Sequence, residues 1–253
     1  MAISIAQAQL FFLALTRMLA MLIHMPMLGG RLVPTPVRLG LGLLLTAVLI
    51  PWAPLGPEAA PQPPVVFGLA AGREIVVGTL IGFAAAMVFA TLQVAGEVMG
   101  QGSGFSAAQY LNPALDMSGT AYDSLFVMAA MLVFLVIDGH HVFLLAVGRT
   151  YQVLPLGGPL PLDSVDRLLR MTSDLILAGV EMALPVLGTM LLTDLALGLL
   201  ARAAPQVSVF FLGLPLKFGV ALLGLALAFP ALVPPLTGLF KSLGSRMLQL
   251  VGG

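Results

Sequence analysis

Two stretches of this chain carry no charged side chain over more than twenty residues: 75–96, with 22 residues, and 218–240, with 23. About 20 helical residues cross the roughly 30 Å hydrocarbon core of a bilayer. Either stretch is therefore long enough to span, and a soluble domain has no use for two such segments. Composition agrees, since 59% of the residues are hydrophobic and 9% charged, against about a quarter charged in an ordinary globular domain. A chain of this kind cannot wrap a polar surface around its apolar mass. The expected class is an all-α polytopic membrane protein.

Six apolar runs read as helices: 6–28, 39–55, 65–98, 121–147, 175–200 and 207–239. Between them lie turn-forming segments. Gly29, Gly30, Pro34 and Pro36 follow the first run, and six prolines crowd 51–64, where missing backbone donors stop helices. Segment 100–117 mixes Gly, Ser, Asn112 and Pro113, while 154–163 is rich in Pro and Gly before Asp163 and Asp166 mark a helix start. The expectation is about six partly broken helices arranged as hairpins in a single domain, 1–253. Pro185, Pro215 and Pro230 fall inside runs, and kinked helices with freed carbonyls suit protein-facing positions better than lipid-facing ones. The first charge is Arg17, so the first run lacks the basic start of a signal peptide and is expected to stay as structure. Basic residues at segment ends favour both termini in the cytoplasm, six to three.

Several classes of function are closed. Cysteine is absent, which removes disulfides, thiolate nucleophiles and Cys-ligated metals. Lys+Arg and Asp+Glu balance at 11 each, so no basic field recruits nucleic acid. Gly100, Gly102 and Gly104 have the wrong spacing for a dinucleotide fingerprint, and adjacent His140 and His141 lack the i, i+4 spacing of a zinc pair. No catalytic, cofactor or metal site is expected.

What remains is charge at membrane depth, which costs at least about 2.5 kcal/mol per group on insertion scales. Arg17, Glu74, Glu97, Asp138, Glu181, Asp194, Arg202 and Lys217 lie in or beside apolar runs. Of these, Arg17, Glu74, Glu97, Asp194 and Arg202 are the candidates for buried ion pairs. Gly78 with Gly82, and Gly96 with Gly100, are four apart and place small faces on one helix, the pattern of close helix packing.

The order of motifs is also informative. Arg17 and Pro26 are followed by LVPTPVRLGLGLLL, a Pro51 stop, REIVVGTLIGFAAA, AGEVMGQGSGFSAAQYLNP, IDGHHVFLLAVGRTYQVLPLG and DLALGLLARAAPQVSVFFLGLPLKF. Over roughly residues 10–240 this series resembles the FliR/SctT family of the type III secretion export gate, in its flagellar branch. The resemblance implies a non-enzymatic inner-membrane subunit of the flagellar basal body, without cofactor. It would join FliP and FliQ, beside FlhB- and FlhA-like components, in a channel for unfolded flagellar proteins.

It further implies that loop 100–117 is the pore plug. Phe105, Tyr110, Leu111, Leu115 and Met117 would supply water-excluding bulk there, glycines the mobility, and Ala107 stands where members often carry a second aromatic. Alternatives are the equivalent subunit of a virulence secretion system and, from another class, a small-solute secondary transporter, which broken helices with embedded charges would also suit. An intramembrane enzyme lacks a paired Asp, a Ser with a base or a HExxH run.

Overall fold

The computed structural model describes residues 5–25, 33–49, 62–104, 120–159, 163–206 and 209–252. Among these, eight helices and no strand are found: α1 Ile5–His24, α2 Thr35–Leu49, α3 Pro64–Gly102, α4 Ala121–Val136, α5 Gly139–Val153, α6 Ser164–Ala203, α7 Val209–Lys241 and α8 Leu243–Gln249. The chain is an all-α polytopic membrane protein.

The six apolar runs map onto these helices with two differences. The described part of the second run is helical over the 15 residues of Thr35–Leu49, and its remainder, 50–55, lies outside the described residues. The third continues to Gly102 instead of stopping near Val98, so the first residues assigned to loop 100–117 are helical. The fourth run, expected as one helix, is broken. Asp138 adopts a left-handed backbone, φ 55°, between α4 and α5, and the two halves bend by 70°. Hydropathy does not see such a break, because Asp and the following Gly tolerate this conformation without interrupting the apolar count.

Among the described residues, four helices are long and apolar enough to cross a membrane, or five if α4 and α5 form one bent span. At 1.5 Å per residue, the 39 residues of α3 and the 40 of α6 reach about 58 and 60 Å, twice the hydrocarbon thickness.

The described helices form two compact units. Unit 1 holds α1, α2, α3 up to Phe89, α5, α6 up to Thr172 and α8. Its core joins Met18, Met21 and Leu22 of α1 to Val77, Ile81 and Ala84 of α3, with Phe143, Val147 and Met247 from α5 and α8. Ser164 at the start of α6 donates to the Leu250 carbonyl at 2.6 Å, and Arg167 to that of Gln249 at 2.6 Å. The C-terminal carbonyls of α8, which have no helical donor, are satisfied in this way.

Unit 2 holds α3 from Ala90, α4, α6 from Ser173 and α7 up to Phe240. Its core contains Leu92, Met99, Phe126, Phe134, Val186, Ala221 and Phe240. Phe134 and Phe240 meet edge to face with centroids 5.0 Å apart.

Candidate functional site

In unit 1, α3 approaches α1 through one stripe of residues. Glu74, Gly78 and Gly82 recur every four positions and so share a face. A Cβ on Gly78 would lie 2.5 Å from the Arg17 carbonyl oxygen, and one on Gly82 would lie 2.7 Å from that of Met21. Only glycine permits this backbone separation. One turn before Gly78, the approach brings the Glu74 carboxylate onto Arg17. Arg17 Nε donates to Oε2 at 2.5 Å and a terminal nitrogen donates to Oε1 at 3.1 Å. Both residues are fully buried.

The remaining donors of Arg17 reach the turn after α5, at Leu154 O, 2.7 Å away, and Pro155 O, 3.4 Å away. Glu74 Oε1 also accepts from the backbone of Gly157 at 2.8 Å, a glycine held at φ 76°. The Tyr151 ring lies 4.9 Å from the guanidinium carbon, and its hydroxyl donates to Ala14 O at 2.9 Å. Two buried charges are thus both paired and hydrogen-bonded, the condition under which the interior accepts them.

In unit 2, the C-terminal end of α3 meets the start of α4. A Cβ on Gly96 would stand 2.9 Å from Asp123 Cα, and one on Gly100 would collide with the Thr120 hydroxyl. Thr120 caps α4, accepting from the Asp123 backbone at 3.2 Å. Beyond α3, Ser103 donates to Gly100 O at 2.6 Å. Gly104, at φ 79°, lies against Leu214, Lys217 and Phe218 of α7. Tyr122 donates to Ala221 O of the same helix at 3.1 Å.

The two residues flanking segment 105–119 are thereby anchored close together, beside α7 positions 214–221. Lys217 at that place is ion-paired with Asp194 of α6. The residues expected to form the plug, Phe105, Tyr110, Leu111, Leu115 and Met117, lie outside the described residues.

The structure therefore brings together Arg17 with Glu74, and Asp194 with Lys217. Glu97 and Arg202 are exposed and make no ion pair among the described residues. Glu97 follows Gly96, whose side of α3 is closed by Asp123, so its own side chain leaves on another face. The backbone partners of Arg17 and Glu74 in the Leu154–Gly157 turn were not anticipated. The Pro/Gly-rich composition marked that segment as a turn and carried no sign that its carbonyls would cap a guanidinium. His140 and His141, set aside for their spacing, have rings only 4.3 Å apart. With Asp138 they form a group whose ligand atoms are all within 4.8 Å, at least partly exposed. The left-handed Asp138 directs its carboxylate over the first turn of α5, which the spacing rule for a continuous helix does not cover.

The family model of the bacterial export proteins, family 1, matches residues 8–243. The chain belongs to this family. As a member of the FliR/SctT family, it is a subunit of a type III export apparatus. It is 33% identical over 246 residues to the flagellar biosynthetic protein FliR of Escherichia coli, covering 96% of this chain and 92% of that relative. It is 26% identical over 250 residues to FliR of Bacillus subtilis, covering 95% and 94%. To the Yop proteins translocation protein T of Yersinia pestis it is 30% identical over 220 residues, covering 83% and 82%. The matched span of this export-family member includes the Arg17–Glu74 cluster and both anchors of segment 105–119.

Proposed function

We propose that this chain is a non-enzymatic subunit of a flagellar type III export gate in the bacterial inner membrane. It joins FliP- and FliQ-type subunits around a channel for unfolded flagellar proteins, with FlhA- and FlhB-type components beside it. Segment 105–117 plugs that channel. The observation that carries the reading is the family match over residues 8–243. The flagellar relative in Escherichia coli, more similar and more completely covered than the Yersinia translocation protein, favours flagellar over virulence export. Helices twice as long as a bilayer is thick support a place inside an assembly, where sibling subunits cover apolar surface that lipid cannot reach.

The plug reading rests on chemistry and anchoring. Phe105, Tyr110, Leu111, Leu115 and Met117 are bulky apolar groups in a connecting segment, and a dry constriction blocks ions because it offers nothing in place of their hydration shell. Met117 adapts its shape to varied passing side chains. The fixed positions of Gly104 and Thr120 beside α7 give the segment a rigid base.

The test is expression in a motile bacterium whose own FliR has been deleted. The wild-type chain is expected to co-purify with the FliP- and FliQ-type subunits and restore motility. Shortening 105–117 should leave the complex assembled while raising ion permeability and slowing growth. A fully assembled shortened variant with baseline permeability refutes the plug. A wild-type chain that purifies alone as a solute-binding monomer refutes the export-gate reading.

A further inference from the structure

Within unit 2, α6 and α7 border a half-open cavity of about 250 Å³ lined by Glu181, Met182, Pro185, Ala231, Leu232 and Pro235 among others. Each helix contributes a proline and the residue four positions before it. Proline has no N–H, so Pro185 leaves the Glu181 carbonyl, and Pro235 the Ala231 carbonyl, without its helical donor. Residues i and i−4 share a helix face. Glu181 and Ala231, whose carbonyls are so deprived, both line the cavity.

Glu181 is exposed and makes no hydrogen bond or ion pair among the described residues. Glu97 and Arg202 share this state, but neither lines this cavity. Glu74 is matched by Arg17 and Asp194 by Lys217. A carboxylate in an apolar helix stretch is costly until a cation meets it, and this cavity offers acceptors only. Its occupant has to be a donor-only cation. A bare metal ion would need about six oxygen ligands, more than one carboxylate and two carbonyls supply, and the Met182 and Leu232 walls give it nothing. An alkylammonium or guanidinium group fits both features, with its head on the acceptors and its methylene stem along the apolar wall.

We infer that this cavity receives a lysine or arginine side chain from a neighbouring helix of the export complex, ion-paired to Glu181. The inference rests on the reading of the chain as an export-gate subunit. It adds the position and chemistry of one intersubunit contact.

The experiment compares wild type, Glu181→Gln and Glu181→Lys co-expressed with the sibling export subunits. In parallel, a photoreactive benzoylphenylalanine replaces Ala178, which also lines the cavity, with Glu181 intact. Charge reversal should lower co-purification by at least about tenfold, since a truncated charge pair leaves its partner desolvated and alone. Glu181→Gln should lower it less. Second-site changes that restore assembly to Glu181→Lys should turn a Lys or Arg of a sibling subunit acidic. The photoreactive residue should crosslink to the segment carrying that cation.

Assembly of Glu181→Lys at the wild-type level overturns the inference, as does restoration arising only within this chain. Crosslinking to lipid alone overturns it even where the reversed variant fails to fold. Stabilisation of the isolated chain by sodium or butylammonium, lost in Glu181→Gln, would assign the cavity to a free cation and overturn it too. If the wild-type chain does not co-purify with the siblings, it is the export-gate reading that fails.

Discussion

Breaking the Arg17–Glu74 cluster one partner at a time should cost more than removing both. In Arg17→Met the Glu74 carboxylate stays buried with only the Gly157 N–H to satisfy it, and in Glu74→Leu the guanidinium keeps only the carbonyls of the Leu154–Pro155 turn. Removing one partner of a buried ion pair costs about 3–5 kcal/mol, so the two single losses sum to roughly 6–10 kcal/mol if independent. The double variant strands no charge. It leaves the Leu154 carbonyl and the Gly157 N–H unmet, at about 1–3 kcal/mol each, against about 1–4 kcal/mol regained when apolar groups replace a buried pair. A net loss of at most about 5 kcal/mol follows, hence a coupling of at least about 1 kcal/mol, within the range for touching residues. Far-UV circular dichroism of the purified chain during SDS titration measures all four stabilities. A coupling under about 1 kcal/mol would show that the two charges are not held by each other.

Gly82→Leu places a side chain where even a Cβ would be 2.7 Å from the Met21 carbonyl oxygen. It should destabilise unit 1 by at least the about 1–3 kcal/mol of an overpacked core, and an unchanged SDS midpoint would show that α3 can retreat from α1 without loss. At the α4–α5 break, Asp138→Val should cost about 1–2 kcal/mol because a β-branched residue resists the left-handed backbone, while Asp138→Gly should be close to neutral. Equal midpoints for the two variants would refute a left-handed Asp138.

The helical class and the places of the long apolar runs were legible because a charge-free stretch of span length has few alternatives in any fold. Contacts between distant segments were less so. Glu74 stood out as ionisable, but its meeting with Arg17 depends on Gly78 letting two backbones close, and on a turn 80 residues further along that arrives with free carbonyls. The glycine spacing was visible, its partner helix was not. The break at Asp138 escaped because it changes direction without changing hydropathy. Glu97 and Arg202 show the reverse limit: a charge beside an apolar run is read as buried until the helix register is known, and both point outward.

Anchoring both flanks of segment 105–119 at one place has a consequence for what may change within it. A loop whose ends are already fixed together adds closure entropy only with the logarithm of its length, so doubling these 15 residues would cost roughly 0.6 kcal/mol. Residues of α3, α4 and α7 hold the flanks through the contacts described for Gly100, Gly104, Thr120 and Tyr122. On closure entropy alone, the length between them is weakly coupled to the stability of unit 2. Insertions between these flanks should therefore leave unit 2 folded, which separates the length of the segment from the scaffold that presents it.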